Sequence, residues 1–132
     1  MTDVALVRKK LASIESCLSD LQRLATPLAI DTDLRERRFI EHTLQIAIQA
    51  ALDVASHIVS DRRLGEPRTN RELFDLLHQD GWLDAGLTTA LRNMAGFRNV
   101  LVHGYDAVDL GVVHDVLEHH LGDLVEIGRA HV

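Results

Sequence analysis

"DTDLRERRFIEHTLQIAIQAALDVASHIVSDRRLGEP", residues 31–67, carries the longest helical pattern in the chain. Ile40, Leu44, Ala47, Ile48, Ala51, Leu52, Ala55 and Val59 recur at three- and four-residue steps, which is the signature of one buried helical face. Asp31 and Asp33 suit an N-cap or first turn, where backbone N–H groups are free and negative charge is favoured. Gly65 and Pro67 stop the pattern, because neither continues a helix well. The spacing therefore predicts a very long helix, about eight turns at ~3.6 residues per turn.

The flanking sequence has the same character. Val4, Val7, Leu11, Ile14, Leu18 and Leu21 form an amphipathic stripe that Pro27 ends. Thr69 and Glu72 have capping-box spacing and predict a short helix burying Leu73, Phe74 and Leu76 or Leu77, closed by Gly81. A fourth helix starts near Asp84, turns Leu87, Leu91, Met94 and Leu101 inward, and stops at Gly104. A last helix from about Asp109 buries Val113, Val116, Leu117, Leu121 and Leu124. No strand-like alternation, internal repeat or low-complexity tract interrupts this. The expectation is all-α: an antiparallel bundle of about five helices forming a single domain over residues 1–132.

Composition narrows the class. At 132 residues and 46% hydrophobic, the chain can bury a core without metal or disulfide support. The single cysteine, Cys17, excludes an intrachain disulfide framework and a Cys-rich zinc site, and fits a reducing cytosol. No secretory pattern opens the sequence, and no apolar run reaches the ~18 residues of a membrane span. The net charge of −6 argues against gripping nucleic acid by bulk positive charge, so any such contact is local. Cationic residues are uneven: Arg35, Arg37, Arg38, Arg62, Arg63, Arg68, Arg71, Arg92 and Arg98 precede a C-terminal part whose only Arg or Lys is Arg129. That distribution reads either as a basic patch or as a mixed solvated surface.

The chemistry concentrates in "RNVLVHGY", residues 98–105. Arg98 falls on the stripe of Leu87, Leu91, Met94 and Leu101, and an inward arginine is costly unless it is paired or lines a polar cleft. His103 is five residues on, which points it ~140° away on a regular helix. Either Gly104 ends the helix and lets His103 swing, or the site lies where two chains meet. A titratable imidazole beside a fixed cation suits phosphate-ester chemistry. Tyr105, the chain's only tyrosine, would by itself be a half-buried aromatic closing a loop. Asp53, Ser56 and His57 interrupt the apolar second helix, and either line a cleft or satisfy each other through water. His114, His119 and His120 do not share a helical face and form no HExxH pattern, so they read as surface residues and no metal site is assigned. There is no Gly-rich phosphate loop, Ser-His-Asp order or CxxC motif.

Arg98, four residues, His103, one residue and Tyr105 resemble the R-x4-H-x-Y motif of HEPN-domain toxins. The setting "MAGFRNVLVHGY", residues 94–105, and the Ala-rich "IAIQAALDVASHIV" of the long helix are similar to the HepT subfamily. The resemblance spans essentially the whole chain. It implies a HEPN-type helical bundle that pairs as a homodimer, with Arg and His of both protomers lining one cleft. It implies a cytoplasmic, metal-independent ribonuclease without a cofactor, in which the RNA 2′-hydroxyl attacks the adjacent phosphodiester and leaves a cyclic phosphate. Arg98 would then stabilise charge on the phosphoryl oxygens, His103 would move a proton or orient the phosphate, and Asn99 would be an auxiliary residue. The resemblance further implies a type VII toxin–antitoxin pair. Its partner is a minimal nucleotidyltransferase, MntA, which uses ATP to place AMP on Tyr105. The alternative is a non-catalytic substrate-binding or regulatory subunit of that transferase, which the acidic balance favours because free RNA is repelled at long range.

Overall fold

Among the described residues, five of the six α-helices begin where a side-chain oxygen takes up a free backbone N–H. The computed structural model describes residues 3–104 and 108–129. Asp3 accepts from Leu6 at the start of α1 (Val4–Leu24), and Asp33 from Arg35 and Glu36 at the start of α2 (Leu34–Asp61). Thr69 caps α3 (Asn70–Gln79), Asp84 caps α4 (Ala85–His103) and Asp109 caps α5 (Leu110–His119). Each such cap contributes ~1 kcal/mol to its helix. A final helix, α6, runs Leu121–Arg129. A single 3-10 turn, Pro27–Ala29, separates α1 from α2. Past α2, Arg63 (φ 55°) and Gly65 (φ 140°) reverse the chain, and Gly81 (φ 83°) does so after α3. No helix among the described residues is long and apolar enough to cross a membrane.

The long helix is the post of the bundle. α1, α3, α4 and α6 all pack against α2. Ile40, Leu44, Ala47, Ile48, Ala51, Leu52, Ala55 and Val59 are buried as the spacing predicts. Ala50, Val54 and Ile58 are buried too, so the apolar surface is wider than one stripe. Alanines at four of these positions keep the neighbouring helices close. Two antiparallel helix pairs are recognisable from their cross-links. In the first, the Asp3 backbone N–H donates to His57 Nε2 at 3.0 Å, and Lys10 Nζ pairs with Asp53 at 3.0 Å. In the second, Asp75 of α3 pairs with Arg92 of α4.

Two expectations change. Asp53 and His57 both tie α2 to α1, with Gln49 Nε2 donating the second bond to Asp53 at 2.9 Å, and the shallow groove that Asp53 lines with Lys10 and Gln49 contains no residue of the motif. The expected last helix is divided at His120, whose backbone leaves the helical region (φ −122°, ψ −2°). Its ring bridges two carboxylates, Nδ1 to Asp123 at 2.9 Å and Nε2 to Asp115 at 3.2 Å. Val113 and Val116 are buried before the break and Leu124, Val125 and Ile127 after it.

The hydrogen bond to Asp123, with the negative charges of Asp115 and Asp123, raises the His120 pKa above the ordinary histidine value, against the smaller opposing effect of burial. A histidine whose folded pKa exceeds its unfolded one stabilises the fold fully below the unfolded value of ~6.5, and that stabilisation is lost as pH rises through the folded value. The melting temperature should therefore fall between pH 6 and pH 8 by more in the wild type than in His120→Gln. Parallel pH curves for the two proteins would contradict this role for His120.

Candidate active site

α4 presents the motif, and its inward stripe fixes where Arg98 can go. Leu91, Met94 and Leu101 are buried at 1%, 3% and 6% exposure, and Arg98 stands on the same side of the helix between them. Its root is thus carried into the bundle while the guanidinium reaches outward, leaving the residue half-buried. Among the described residues the buried Arg98 Nε has no hydrogen-bond partner, and the guanidinium makes one long bond, Nη1 to Asn99 Oδ1 at 3.4 Å. Among the described residues no carboxylate pairs with Arg98. Of the two ways to keep an arginine there, a partner acid on a neighbouring helix is not the one used. A buried donor without a partner costs about 1–3 kcal/mol, a cost usually met where the group serves a ligand.

His103 is the last residue of α4 and is exposed. The backbone stays helical through it, and the Gly104 N–H closes the final turn on Val100 at 2.8 Å. The helix does not end early enough to swing His103 toward Arg98, so their Cβ directions diverge by ~140° as the spacing predicts. Asn99 lies between the two directions, ~100° from Arg98 and ~40° from His103. Its exposed side chain already accepts the Arg98 bond, so it is placed to touch whatever Arg98 touches. Tyr105 lies outside the described residues.

The same helix carries a feature that motif reading does not reach. Arg92, Gly96, Asn99 and His103 share one stripe of α4, at steps of four, three and four residues. Facing them, an open groove of about 510 Å³ runs between α3 and α4, lined by Thr69, Asn70, Arg71, Glu72, Asp75, Arg92 and Asn99. Arg71 lays its guanidinium directly on Gly96: a Cβ there would overlap an Arg71 Nη atom and stand 3.0 Å from Cζ. The signal in the sequence was Gly96 itself, since a glycine inside a helix costs ~1 kcal/mol relative to alanine and marks a close approach. Two further histidines have local partners: His119 Nε2 lies 3.6 Å from Glu118, and His78 Nδ1 is 2.8 Å from the Leu83 carbonyl.

With this geometry in hand, the chain can be placed among known proteins. The ribonuclease HepT-like family model matches residues 14–130. The mRNA nuclease HepT of Shewanella oneidensis is 32% identical over 126 residues, covering 93% of this chain and 92% of that protein. The tRNA nuclease HepT of Aphanizomenon flos-aquae is 35% identical over 78 residues, 59% of this chain and 53% of that protein. Among solved structures, the tri-AMPylated Shewanella oneidensis HEPN toxin in complex with MNT antitoxin superposes with a TM-score of 0.87 at 30% identity, over 98% of this chain and 97% of that one. A toxin–antitoxin structure with AMP-PNP gives a TM-score of 0.88 at 28% identity, over 96% of each chain. The helical bundle superposes on these solved structures over nearly the whole of each chain, and the chain belongs to the HepT-like ribonuclease family.

Proposed function

We propose that the chain is the toxin of a HepT–MntA-like toxin–antitoxin pair: a HEPN ribonuclease, acting as one domain over residues 1–132, that cleaves RNA through the substrate's own 2′-hydroxyl. The observation that carries the reading is Arg98, a half-buried cation without a carboxylate partner among the described residues. The two relatives named as RNA nucleases support it. In the reaction the 2′-oxygen attacks the adjacent phosphorus and gives up its proton. The bond from phosphorus to the 5′-oxygen breaks, leaving a 2′,3′-cyclic phosphate and a 5′-hydroxyl. Arg98 holds the negative phosphoryl oxygens, whose charge grows toward the transition state. His103 moves the proton. Asn99 positions the guanidinium. Replacing Arg98 by Ala, or His103 by Ala, should lower the cleavage rate by roughly 10²–10³-fold, the usual effect of deleting a charge-stabilising or proton-transferring group. Far-UV circular dichroism should be unchanged and EDTA should not affect the wild type. A variant that cleaves at the wild-type rate removes that residue from the site. Wild-type protein that produces no cyclic-phosphate ends on RNA turns the assignment to the non-catalytic transferase subunit, the reading its net charge of −6 favours.

Because Arg98 and His103 diverge on one straight helix, the reading requires a second copy. A two-fold pairing through the C-terminal part of α4 brings two arginines and two histidines to one cleft, so that Arg98 of one protomer works with His103 of the other. Mixing an inactive Arg98→Ala chain with an inactive His103→Ala chain should restore part of the activity. Sedimentation should give a dimer at micromolar concentration. A fully active monomer would overturn the composite cleft.

The antitoxin of this reading is a minimal nucleotidyltransferase. The Tyr105 hydroxyl attacks the α-phosphorus of ATP, AMP is transferred and pyrophosphate leaves. The related Shewanella oneidensis toxin, which is tri-AMPylated in its complex with MNT antitoxin, supports this. Tyr105 is two residues from His103 and is the only tyrosine in the sequence. A phosphodiester placed there competes for the cations that RNA needs. Tyr105→Phe should keep ribonuclease activity and escape silencing by the transferase with ATP and magnesium. Intact mass and peptide mapping decide it, since AMP found on another residue would discard Tyr105.

A further inference from the structure

We propose that Arg71, seated on Gly96 of the neighbouring helix, binds a phosphate of the RNA strand flanking the one being cleaved. This rests on the ribonuclease reading and extends the site from the motif into the groove between α3 and α4.

Three observations converge. First, Arg71 is exposed and, among the described residues, has neither an ion pair nor a hydrogen bond. The acidic residues near it are engaged elsewhere: Asp75 with Arg92, and Glu72 Oε2 with the Arg68 backbone N–H at 2.6 Å. Second, it has a seat on α4. Gly96 lacks the side chain that would push the guanidinium off α4, so the cation rests against the helix that carries the motif. An arginine held in place before binding loses less freedom when it binds. Third, the seat is aligned with the chemistry. Gly96, Asn99 and His103 follow one another on a single stripe of α4, and the open groove of about 510 Å³ leads past Arg71 to Asn99. Gly96 is seven residues from His103, ~10 Å along the helix axis. One phosphate cannot reach both, so Arg71 takes a neighbouring one.

This solves a problem set by the charge of the protein. A chain of net charge −6 cannot hold RNA by its general field, and must offer a few fixed, uncompensated cations along the path of the strand. Arg98 is one of these. Arg71 is a second, on a different helix, and it makes the site read a strand instead of a single phosphate. Its part is positioning: it touches no reacting atom.

The test uses the intact protein and two RNA oligonucleotides, one cleavable and one carrying 2′-O-methyl groups that can bind but not react. Arg71→Ala should raise KM on the order of tenfold, the loss of one charge-assisted contact, with kcat changed little. On the 2′-O-methyl strand it should reduce the slope of log affinity against log salt by about 0.7 for each Arg71 engaged. Gly96→Ala, which favours the helix but displaces the guanidinium, should reproduce the KM effect while raising or preserving the melting temperature. An Arg71→Ala protein with wild-type KM and wild-type salt slope overturns the inference and leaves the ribonuclease reading intact. A wild type that binds the 2′-O-methyl strand but cleaves nothing fails as a ribonuclease while the salt slope still judges Arg71. A wild type that neither binds nor cleaves RNA removes both. The phosphate of AMP on Tyr105 offers the same chemistry. If Arg71→Ala changes silencing by the transferase and leaves RNA binding alone, the phosphate Arg71 holds is that one, and the RNA assignment falls.

Discussion

Burial of α2 is the constraint from which the rest follows. A 28-residue helix whose apolar surface exceeds one stripe cannot be left at the edge of a bundle, and α1, α3, α4 and α6 are all drawn against it. The alanines at 47, 50, 51 and 55 let those neighbours approach closely, which sets the separations between the outer helices as well. α4 is thereby fixed in rotation by Leu91, Met94 and Leu101, and its rotation decides that Arg98 leaves the core on one side while Asn99 and His103 face another. The placement of the motif is thus a consequence of packing along α2, far from the motif in sequence.

Most of the helices were legible because each carries its own punctuation. Asp33, Thr69, Asp84 and Asp109 accept from the first backbone N–H groups as their positions foretell, and Gly81 takes the positive φ that ends α3, whereas α2 is ended by Arg63 in the left-handed region, two residues before Gly65. The break at His120 was not legible. Val113 and Leu124 are eleven residues apart, about three turns, so the apolar stripe runs on across a change in axis and periodicity cannot register it. What divides the helix is a side chain held between Asp115 and Asp123, a contact that depends on the fold already being made. Asp53 and His57 were misread for a related reason: polar residues on a buried helix mark a need for partners, and only the packing of α1 tells where those partners lie.

The site was legible in its residue types and not in its geometry. Spacing alone gives the ~140° divergence of Arg98 and His103, and the unbroken helix through His103 preserves it. It could not show that Arg98 lacks a carboxylate among the described residues, because that is a property of every helix around it. Arg71 stands in the sequence only as one of several unevenly placed arginines, twenty-seven residues from Arg98 and on another helix; only the antiparallel pairing of α3 with α4 lays it over Gly96.

The division at His120 also sets a hierarchy of stability within the molecule. α5 buries only Val113 and Val116, whereas α6 places Leu124 and Ile127 at 0% exposure against the bundle. Segments with little buried apolar surface open at free energies well below that of global unfolding. The amides of α5 are therefore expected to exchange before those of α6, which keeps that side of the core sealed. Strain taken up in α5 therefore stops at α6, and the long central helix is left undisturbed.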